Sequence, residues 1–467
     1  TDATTNLCVI MLRDSAHIQE FEAEWRNRKG KRSGEKPFVP LYTMEDAAGV
    51  LKQFVPHHYG ERFTLFDGID VRYSDAGHLL GSAYIEVWMT ENGESRKMVF
   101  SGDIGNVNQP LLRDPSLVDE ADFCMVESTY GDRLHDAPPD YAKALAEVLQ
   151  RTFDRGGSVI VPSFAVGRTQ ELLYFIRRIK TEGLVHGHNG FPVFVDSPLA
   201  SAATRIFIEN AEYCYDDEAK AFVDAGINPL DFEGLTITET SQESMGINTD
   251  PRPKVILSAS GMCEAGRIKH HLKHGLWNAN NTVLFVGFQA NGTLGRALIE
   301  GADKVKLFGE TIHVAAEITQ LPGISGHADA NELIKWVTHF SPKPRRVFVN
   351  HGESSVCDLF TKRLNEEFGL SATSPFSGSV YDLLANAYVL ETRPVPKETE
   401  KRAAPAEGAE RREQKPRYTE SETPYGKLLE ALERLTALIK RAKGHSNREL
   451  KSITSELNAI SDYLERE

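Results

Sequence analysis

The alternation of apolar and polar residues between positions 62 and 126 predicts a run of β-strands. The stretch RFTLFDGIDVRYSDAGHLLGSAYIEVWMT alternates with a period of two and is broken by glycine and aspartate, as strands joined by turns are. Two further apolar segments, KMVFSGD and ADFCMVEST, each end in polar residues. We therefore expect strands whose ends present side chains that can carry chemistry.

From about Gly157 the pattern changes to strands that alternate with helices. The apolar segments GSVIVPSF, FPVFVDSP, PKVILSASGM and NTVLFVGFQ each precede a segment of helical character. This alternation is typical of βαβ units on a mostly parallel sheet, and it predicts an inserted α/β domain. After Gly309 the chain returns to TIHVAAEITQL, a helix from Ala330, the strand of RRVFVNHGES and a last helix, SVCDLFTKRLNEEF.

A compositional break separates this part from the end of the chain. The segment 391–424 is rich in proline, glutamate, lysine and arginine, which is typical of a disordered linker. Two heptad stripes follow in 425–467, on either side of Gly444: Leu428, Leu432, Leu435 and Ile439, then Leu450, Ile453, Leu457, Ile460 and Leu464. They indicate a helical hairpin or coiled-coil tail that packs on itself or on the main body, or a module for homodimerisation or for docking a partner protein.

Composition is that of a soluble globular protein and names no function. The chain has 467 residues, of which 40% are apolar and 26% charged. No apolar run approaches the roughly 20 residues of a membrane span, so we expect no membrane partner. Five scattered cysteines without a C-x-x-C pair predict reduced thiols and a cytoplasmic protein. The net charge of −14 argues mildly against nucleic-acid binding, although a local basic groove or a bound metal pair can dominate near a substrate.

Five residues that can bind metal or move protons lie at predicted strand ends: His78, Asp103, Glu127, His327 and His351. Each alone has an ordinary structural explanation, such as a turn-forming aspartate or a paired buried carboxylate. As a set, imidazoles and carboxylates without thiolates suit Zn²⁺ in an open hydrolytic site. Two such ions can activate a bridging water and hold both oxygens of a phosphodiester displacement.

The longer motifs around these residues resemble a known family. LRDSAHIQE, AGHLLGSA, FSGDIG, VESTYGDR, PSFAVGRTQELL, DSPLA, SASGMCEAGRIKHHL, LFVGFQANGTLGRAL, ISGHAD and VNHGE are similar to motifs of the metallo-β-lactamase-fold ribonucleases with a β-CASP insertion. The resemblance runs from Thr1 to about Leu390. It implies an α/β protein with an αββα metallo-β-lactamase domain, incomplete at its start, in two parts, 1–156 and 309–390. The β-CASP domain, 157–308, is inserted between them and closes over the active cleft.

The resemblance also implies a role for each of the five residues. His78 would complete one zinc site, Asp103 would bridge both zinc ions, and His351 would bind the second ion. A histidine at position 351 favours RNA over DNA, because DNA-directed members carry an apolar residue there. His327 would act as general acid on the leaving oxygen, supported by Glu127. RNA phosphodiester bonds would then be hydrolysed by a hydroxide that bridges two Zn²⁺ ions, leaving 5′-phosphate and 3′-hydroxyl ends.

One family signature, H-x-H-x-D-H, does not occur in this sequence. HHLKH at 270–274 lacks the aspartate, and PHHYG at 56–60 lacks both the spacing and the acid. In the family the signature lies upstream of the stretch that matches residues 1–20, so we expect that this chain begins just after it. Little or no activity is predicted for the chain as given, because the three remaining ligands cannot hold two zinc ions in hydrolytic geometry.

Arg168, Arg267 and Ser325 are candidate RNA contacts. Both arginines follow predicted strands, where a guanidinium could reach phosphates, but a salt bridge at the surface or at a helix end fits each as well. Ser325 could donate to a phosphate oxygen or only shape its turn.

Two other functions stay open at this stage. A non-catalytic RNA-binding or scaffold subunit of an RNA-processing complex would lack the signature in its complete reading frame. A small-molecule hydrolase of the same fold is the third possibility. The size of the inserted domain and the stretches GRTQE and SGMCEAGRI favour a polymeric phosphate substrate instead. The sequence does not separate endonuclease from exonuclease action.

Overall fold

The predicted order of strands and helices is found in the computed structural model, which describes residues 1–30, 37–135, 140–321 and 325–393. The strands in this part of the chain are β1 (Arg62–Phe66), β2 (Ile69–Asp75), β3 (Ala83–Glu91), β4 (Glu94–Phe100), β5 (Phe123–Val126), β6 (Val159–Pro162), β7 (Val193–Val195), β8 (Leu235–Ile237), β9 (Val255–Ser258), β10 (Thr282–Phe285), β11 (Lys304–Leu307), β12 (Glu310–His313), β13 (Glu317–Gln320), β14 (Arg346–Val349), β15 (Ala372–Thr373), β16 (Val380–Asp382) and β17 (Ala387–Leu390).

The helices of the same part are α1 (Asp2–Gly30), α2 (Met44–Leu51), α3 (Tyr141–Asp154), α4 (Arg168–Glu182), α5 (Pro198–Glu209), α6 (Ala211–Cys214), α7 (Asp217–Asp224), α8 (Ser241–Thr249), α9 (Ile268–Gly275), α10 (Leu294–Ile299), α11 (Ala330–Thr338) and α12 (Ser354–Glu366). Every strand and helix predicted between residues 62 and 370 is present, so the α/β fold with βαβ units is confirmed.

Helix α1 has no counterpart among the predicted elements, which begin at residue 62. It spans 29 residues, and its buried positions are Ala3, Leu7, Ala16, Ala23 and Gly30. Because most of these side chains are small, the buried face gives a weak hydrophobic period. Large apolar side chains of the helix, such as Phe21 and Trp25, are exposed instead.

The first sheet brings three of the candidate residues to one edge. Its strand order is β1-β2-β3-β4-β5-β14-β15, antiparallel from β1 to β4 and parallel from β4 onward. The carboxyl ends of β4, β5 and β14 therefore lie side by side. Asp103, Glu127 and His351 follow these three strands.

The strands of the second sheet lie between β5 and β14 along the chain, although β5 and β14 are paired neighbours in the first sheet. The order of the second sheet is β13-β10-β6-β9-β7-β8, and all its strand pairs are parallel. β6, β9 and β10 are buried along their whole length, as expected for a parallel sheet covered on both faces. Strand β13 belongs to this sheet although it lies after residue 308, where the sequence predicts that the inserted domain ends. The domain boundaries themselves stay predictions.

Local signals explain where the helices that flank the second sheet begin and end. Asp140 caps α3 by accepting from the backbone N–H of Lys143, and Ser197 caps α5 directly before Pro198. Helix α4 ends at Gly183, which adopts a left-handed conformation with φ of 65°. The two caps fix where α3 and α5 begin, and Gly183 fixes where α4 ends.

Helices α11 and α12 cover one face of the first sheet. Trp336 of α11 and Phe360 of α12 share a core with Tyr84 and Val99, and all four side chains are buried. Burying a large apolar side chain contributes about 1.5–3 kcal/mol. This core fixes the position of α11 and therefore of the loop before it, which contains His327.

The predictions for the end of the chain lie almost wholly outside the described residues. The predicted linker is described only at 391–393, and the predicted helical tail at 425–467 is not described. Among the described helices, none is both long and apolar enough to cross a membrane.

Candidate metal centre

Asp103 lies between two histidines that come from distant parts of the chain. It follows β4, and its side chain is 38% exposed. One carboxylate oxygen, Oδ1, is 3.1 Å from Nδ1 of His351, and the other, Oδ2, is 3.9 Å from Nε2 of His78. The two oxygens of one carboxylate therefore face two different imidazoles.

His78 is held by its turn so that one ring nitrogen faces Asp103. The backbone N–H of His78 donates to Oγ of Ser82 at 3.1 Å, and its ring Nδ1 lies 2.9 Å from the carbonyl oxygen of Gly326. This leaves Nε2 directed at Asp103. Burial, and then the neighbouring imidazole of His327, lower the pKa of His78, which favours the neutral ring that a metal ion requires. Gly77 precedes it with φ of 63°, which suits glycine.

His351 is positioned by β14 and by the neighbouring strand end of β5. It adopts a φ of 51°, and its carbonyl oxygen accepts from the backbone N–H of Ser128 at 3.3 Å. A Cβ on the following Gly352 would lie 2.4 Å from Oγ of Ser128, so the two loops approach as closely as glycine permits. The side chain of His351 is 55% exposed. It thus has a fixed backbone and a ring open to solvent.

Glu127 and His327 face each other beside Asp103. Glu127 is fully buried, and its Oε1 accepts from the backbone N–H of Ile104 at 2.6 Å. The same oxygen is 3.3 Å from Nδ1 of His327. Burial alone would raise the pKa of Glu127, but hydrogen bonds, first that of His327, outweigh it and lower the pKa. Burial alone would likewise lower the pKa of His327, but the hydrogen bond and charge of Glu127 raise it.

The expectation that His327 lies at a strand end is wrong. It lies in the loop that leads into α11, where its backbone forms an isolated antiparallel β-bridge with Gly105. Its backbone N–H donates to Oγ of Ser325 at 3.2 Å. The position of His327 is therefore set by tertiary contacts with the loop after Asp103, which no local period in the sequence reveals.

His135 contacts the backbone of His327 and was not predicted from the sequence. Its Nε2 lies 2.9 Å from the carbonyl oxygen of His327, and its backbone N–H donates to Asp329, which caps α11. The ring of His135 also packs against Tyr130. Its place eight residues after Glu127, in the loop from the same strand end, was the available signal.

Two overlapping groups of side chains could each hold a metal ion in the described part of the chain. One is His78, Asp103 and His327, and the other is Asp103, Glu127 and His351. The donors are imidazole nitrogens and carboxylate oxygens, which suit Zn²⁺. The contact of His78 Nδ1 with a carbonyl is the support that metal-binding histidines commonly have. The residues therefore fit metal binding at Asp103, which both groups share.

The three candidate RNA contacts have partners within the protein. Arg168 pairs with Glu171, three residues further along α4. Arg267 donates to the buried carboxylate of Asp196 at 2.7 Å and to the carbonyl oxygen of Glu239 at 2.7 Å. Oγ of Ser325 accepts from the backbone of His327. Their contact with RNA stays a prediction.

The histidines of HHLKH and PHHYG lie in other environments. His271 is fully buried and lies 2.6 Å from Oδ2 of Asp196, and His270 stacks on Phe308. His57 stacks on Phe63, with the ring centroids 3.5 Å apart. These contacts are structural, which agrees with the absence of a metal-binding signature at either place.

Two protein families match the chain. The Beta-Casp domain matches residues 169–298, and the Zn-dependent metallo-hydrolase RNA specificity domain matches residues 311–375. The first match covers β7 to β10 of the second sheet, while β6 and β13 of that sheet lie outside it. The second match ends two residues after β15 and contains both His327 and His351.

Similar proteins come from bacteria and archaea. Ribonuclease TTHA0252 of Thermus thermophilus is 36% identical over 355 residues, which cover 76% of this chain and 74% of that protein. An RNase J-like protein of Methanocaldococcus jannaschii is 32% identical over 344 residues, covering 73% of this chain and 77% of that protein. The transcription termination factor FttA of Methanosarcina mazei is 31% identical over 319 residues. The match covers 66% of this chain but only 49% of that factor.

Proposed function

The chain belongs to the β-CASP family of metallo-β-lactamase-fold ribonucleases, and we propose that its protein hydrolyses RNA phosphodiester bonds at the centre around Asp103. The observation that carries this proposal is the geometry of one carboxylate, whose Oδ1 faces His351 and whose Oδ2 faces His78. A carboxylate shared in this way suits two metal ions, and the family name of the second matched domain specifies zinc.

Asp103, His78 and His351 would hold the two zinc ions in this proposal. When bound, the ions supply an activated water and neutralise charge on the phosphodiester oxygens. The protein contributes the arrangement of its ligands: the carbonyl of Gly326 orients the ring of His78, and the backbone of Ser128 fixes the loop of His351. Further ligands would have to come from the H-x-H-x-D-H signature, which this sequence does not contain.

His327 acts as the general acid in the proposed reaction. Its Nδ1 faces Glu127, so the proton delivered to the leaving 3′-oxygen would come from Nε2. The buried carboxylate of Glu127 raises the pKa of the imidazole, which favours the protonated ring that a general acid needs. General acids of this kind typically contribute about 10²- to 10⁴-fold to a rate. Ser325, Arg168 and Arg267 stay candidates for orienting the RNA backbone.

The test is cleavage of matched RNA and DNA strands by the protein as its gene encodes it, with zinc content measured on the same sample. We expect the unaltered protein to cleave RNA, to cleave little DNA and to contain two zinc ions per chain. We expect Asp103→Asn to lose both the cleavage of RNA and the bound zinc. Unchanged cleavage in Asp103→Asn would contradict the assignment of the centre.

A second candidate is a non-catalytic RNA-binding or scaffold subunit of an RNA-processing complex. That protein would bind RNA, retain no zinc and cleave nothing, so the same experiment separates the two functions. Cytoplasmic localisation and self-association through the predicted heptad helices are further proposals. Localisation of a tagged protein and sedimentation of the chain with and without residues 425–467 would test them.

A further inference from the structure

Two phenylalanine side chains are exposed at the carboxyl edge of the second sheet. Phe164 follows β6 and is 45% exposed, and Phe288 follows β10 and is 68% exposed. Strands β6 and β10 are parallel neighbours, so their loops emerge at the same edge, where ligands of such sheets commonly bind. One exposed aromatic residue is ordinary, but two at this edge require an explanation.

The loops that carry these side chains are fixed. The carbonyl oxygen of Phe164 accepts from Oγ1 of Thr169 at 2.7 Å, and the carbonyl oxygen of Phe288 accepts from Nε2 of Gln289 at 3.1 Å. Gln289 is itself buried, and the same amide group donates to Gly261 at 2.9 Å. The exposure of both rings is therefore set by a bonded backbone.

Gly261, in the loop after β9, connects the two phenylalanine loops. A Cβ on Gly261 would lie 3.0 Å from Cδ2 of Phe164, so that ring rests on this glycine. The carbonyl of Gly261 is the one that accepts from Gln289, the residue after Phe288. Both phenylalanine loops thus contact the same short loop, the first through the ring of Phe164 and the second through Gln289, which follows Phe288.

The loop of Phe164 also reaches the metal centre. A Cβ on Gly167, the residue before α4, would lie 2.9 Å from Cδ2 of Leu79. Leu79 follows His78 directly and is 40% exposed. The segment from Phe164 to Gly167 therefore extends from the aromatic edge to the turn that holds a proposed zinc ligand.

We propose that Phe164 and Phe288 form a stacking surface for the unpaired bases of a single-stranded RNA bound at the metal centre. Every base has a π-face, so aromatic side chains hold successive bases without reading their sequence. Such a surface also compensates for the acidic net charge of the chain, because stacking does not depend on positive potential. The inference rests on the proposed RNA hydrolysis and adds where the bases lie.

The test measures binding of a fluorescent oligouridine to the full chain, for Phe164→Leu, Phe288→Leu and the control Phe66→Leu. Leucine keeps an apolar side chain but has no π-face. Phe66 is 66% exposed at the end of β1, at the opposite edge of the first sheet from β14 and β15. We expect each of the first two variants to bind about 5- to 100-fold more weakly, the range that stacking of one base provides. The control should bind as the unaltered protein does, and Phe164→Trp should restore affinity.

An abasic strand of the same length separates stacking from contacts with phosphates. The unaltered protein should bind it more weakly than oligouridine, whereas a Phe164→Leu, Phe288→Leu double variant should bind both strands alike. Equal oligouridine affinity of the two leucine variants and the control, with RNA still bound by the unaltered protein, would overturn this inference and leave the proposed function intact. Failure of the unaltered protein to bind either strand would overturn the proposed function and this inference together.

Discussion

Asp103 and Asp196 have comparable places in the two sheets but opposite environments. Asp103 follows β4 of the first sheet, Asp196 follows β7 of the second, and each faces a histidine. Asp103 is 38% exposed and faces two imidazoles, whereas Asp196 is fully buried. The carboxylate of Asp196 accepts hydrogen bonds from four side chains: Thr238, Ser244, Arg267 and His271.

The number of donors distinguishes a structural carboxylate from a candidate ligand. Burial alone would raise the pKa of Asp196, but the hydrogen bonds, first that of His271, outweigh it and lower the pKa. These bonds occupy both carboxylate oxygens of Asp196 and leave no lone pair for a metal ion. Asp103 has lone pairs left for a ligand. An aspartate near a histidine at a strand end is therefore ambiguous until its donors are known.

The largest expected effect is a lower rate of RNA cleavage after substitution of His327, beside Asp103. His327→Gln keeps an N–H that can donate to Glu127 but has no proton to transfer. We expect RNA cleavage to fall about 10²- to 10⁴-fold, because the general acid is lost. Cleavage rates on an end-labelled RNA, with zinc content measured in parallel, check this. Retained zinc with a normal rate would remove His327 from the reaction, and lost zinc would make it a ligand.

Substitution of Asp196, whose oxygens are occupied by hydrogen bonds, should instead lower the free energy of unfolding. Asp196→Asn would leave Arg267 and His271 facing an uncharged amide, and we expect a loss of about 3–5 kcal/mol in the free energy of unfolding. The matched variant Asp103→Asn should change it by no more than about 0.5 kcal/mol, since that side chain is partly exposed. Urea unfolding of both variants measures the contrast. Similar losses in the two variants would show that the centres do not differ as described.

Removal of a single donor to Asp196 should lower the free energy of unfolding by less. Ser244→Ala removes one hydrogen bond of 2.6 Å to the carboxylate of Asp196, and we expect a loss of about 1.5–3 kcal/mol without any effect on cleavage. Ser241→Ala, at an exposed position of the same helix α8, is the control and should be neutral. A reduced cleavage rate in Ser244→Ala, after correction for the unfolded fraction, would link this centre to the reaction.

The contribution of Asp196 should also depend on pH. Its pKa is lower in the folded protein than the usual value of 3.8, so its stabilising effect is complete above that value. As pH falls below about 3.8 toward the folded pKa, the folded carboxylate loses its advantage over the unfolded one. We expect the stability difference between the unaltered protein and Asp196→Asn to shrink between pH 5 and pH 3. A difference that grows over this interval would contradict the sign of the shift.

Much of the fold and part of the site could be predicted from the sequence because they depend on local patterns. Strand alternation placed Asp103, Glu127 and His351 at strand ends, and parallel pairing brings such ends together. Helix α1 was not predicted because its buried face is mostly alanine. His327 and His135 could not be placed because their positions depend on contacts with distant loops.

Arg267 shows the same limit in the second sheet. Its position after a predicted strand fitted a phosphate contact and a salt bridge equally well, and the partner in the structure, Asp196, lies 71 residues away in the sequence. No local pattern marks that pairing, because the four donors to Asp196 lie 42 to 75 residues further along the chain.

Zinc binding by Asp103→Asn tests the central claim most directly, since the claim is that one carboxylate serves two metal ions. Zinc titration by calorimetry, on the protein as its gene encodes it, should show uptake by the unaltered protein and by Ser244→Ala. We expect Asp103→Asn to bind zinc at least about tenfold more weakly, the smallest loss that removal of a shared ligand should cause. Zinc binding by Asp103→Asn with unaltered affinity and stoichiometry would contradict the account.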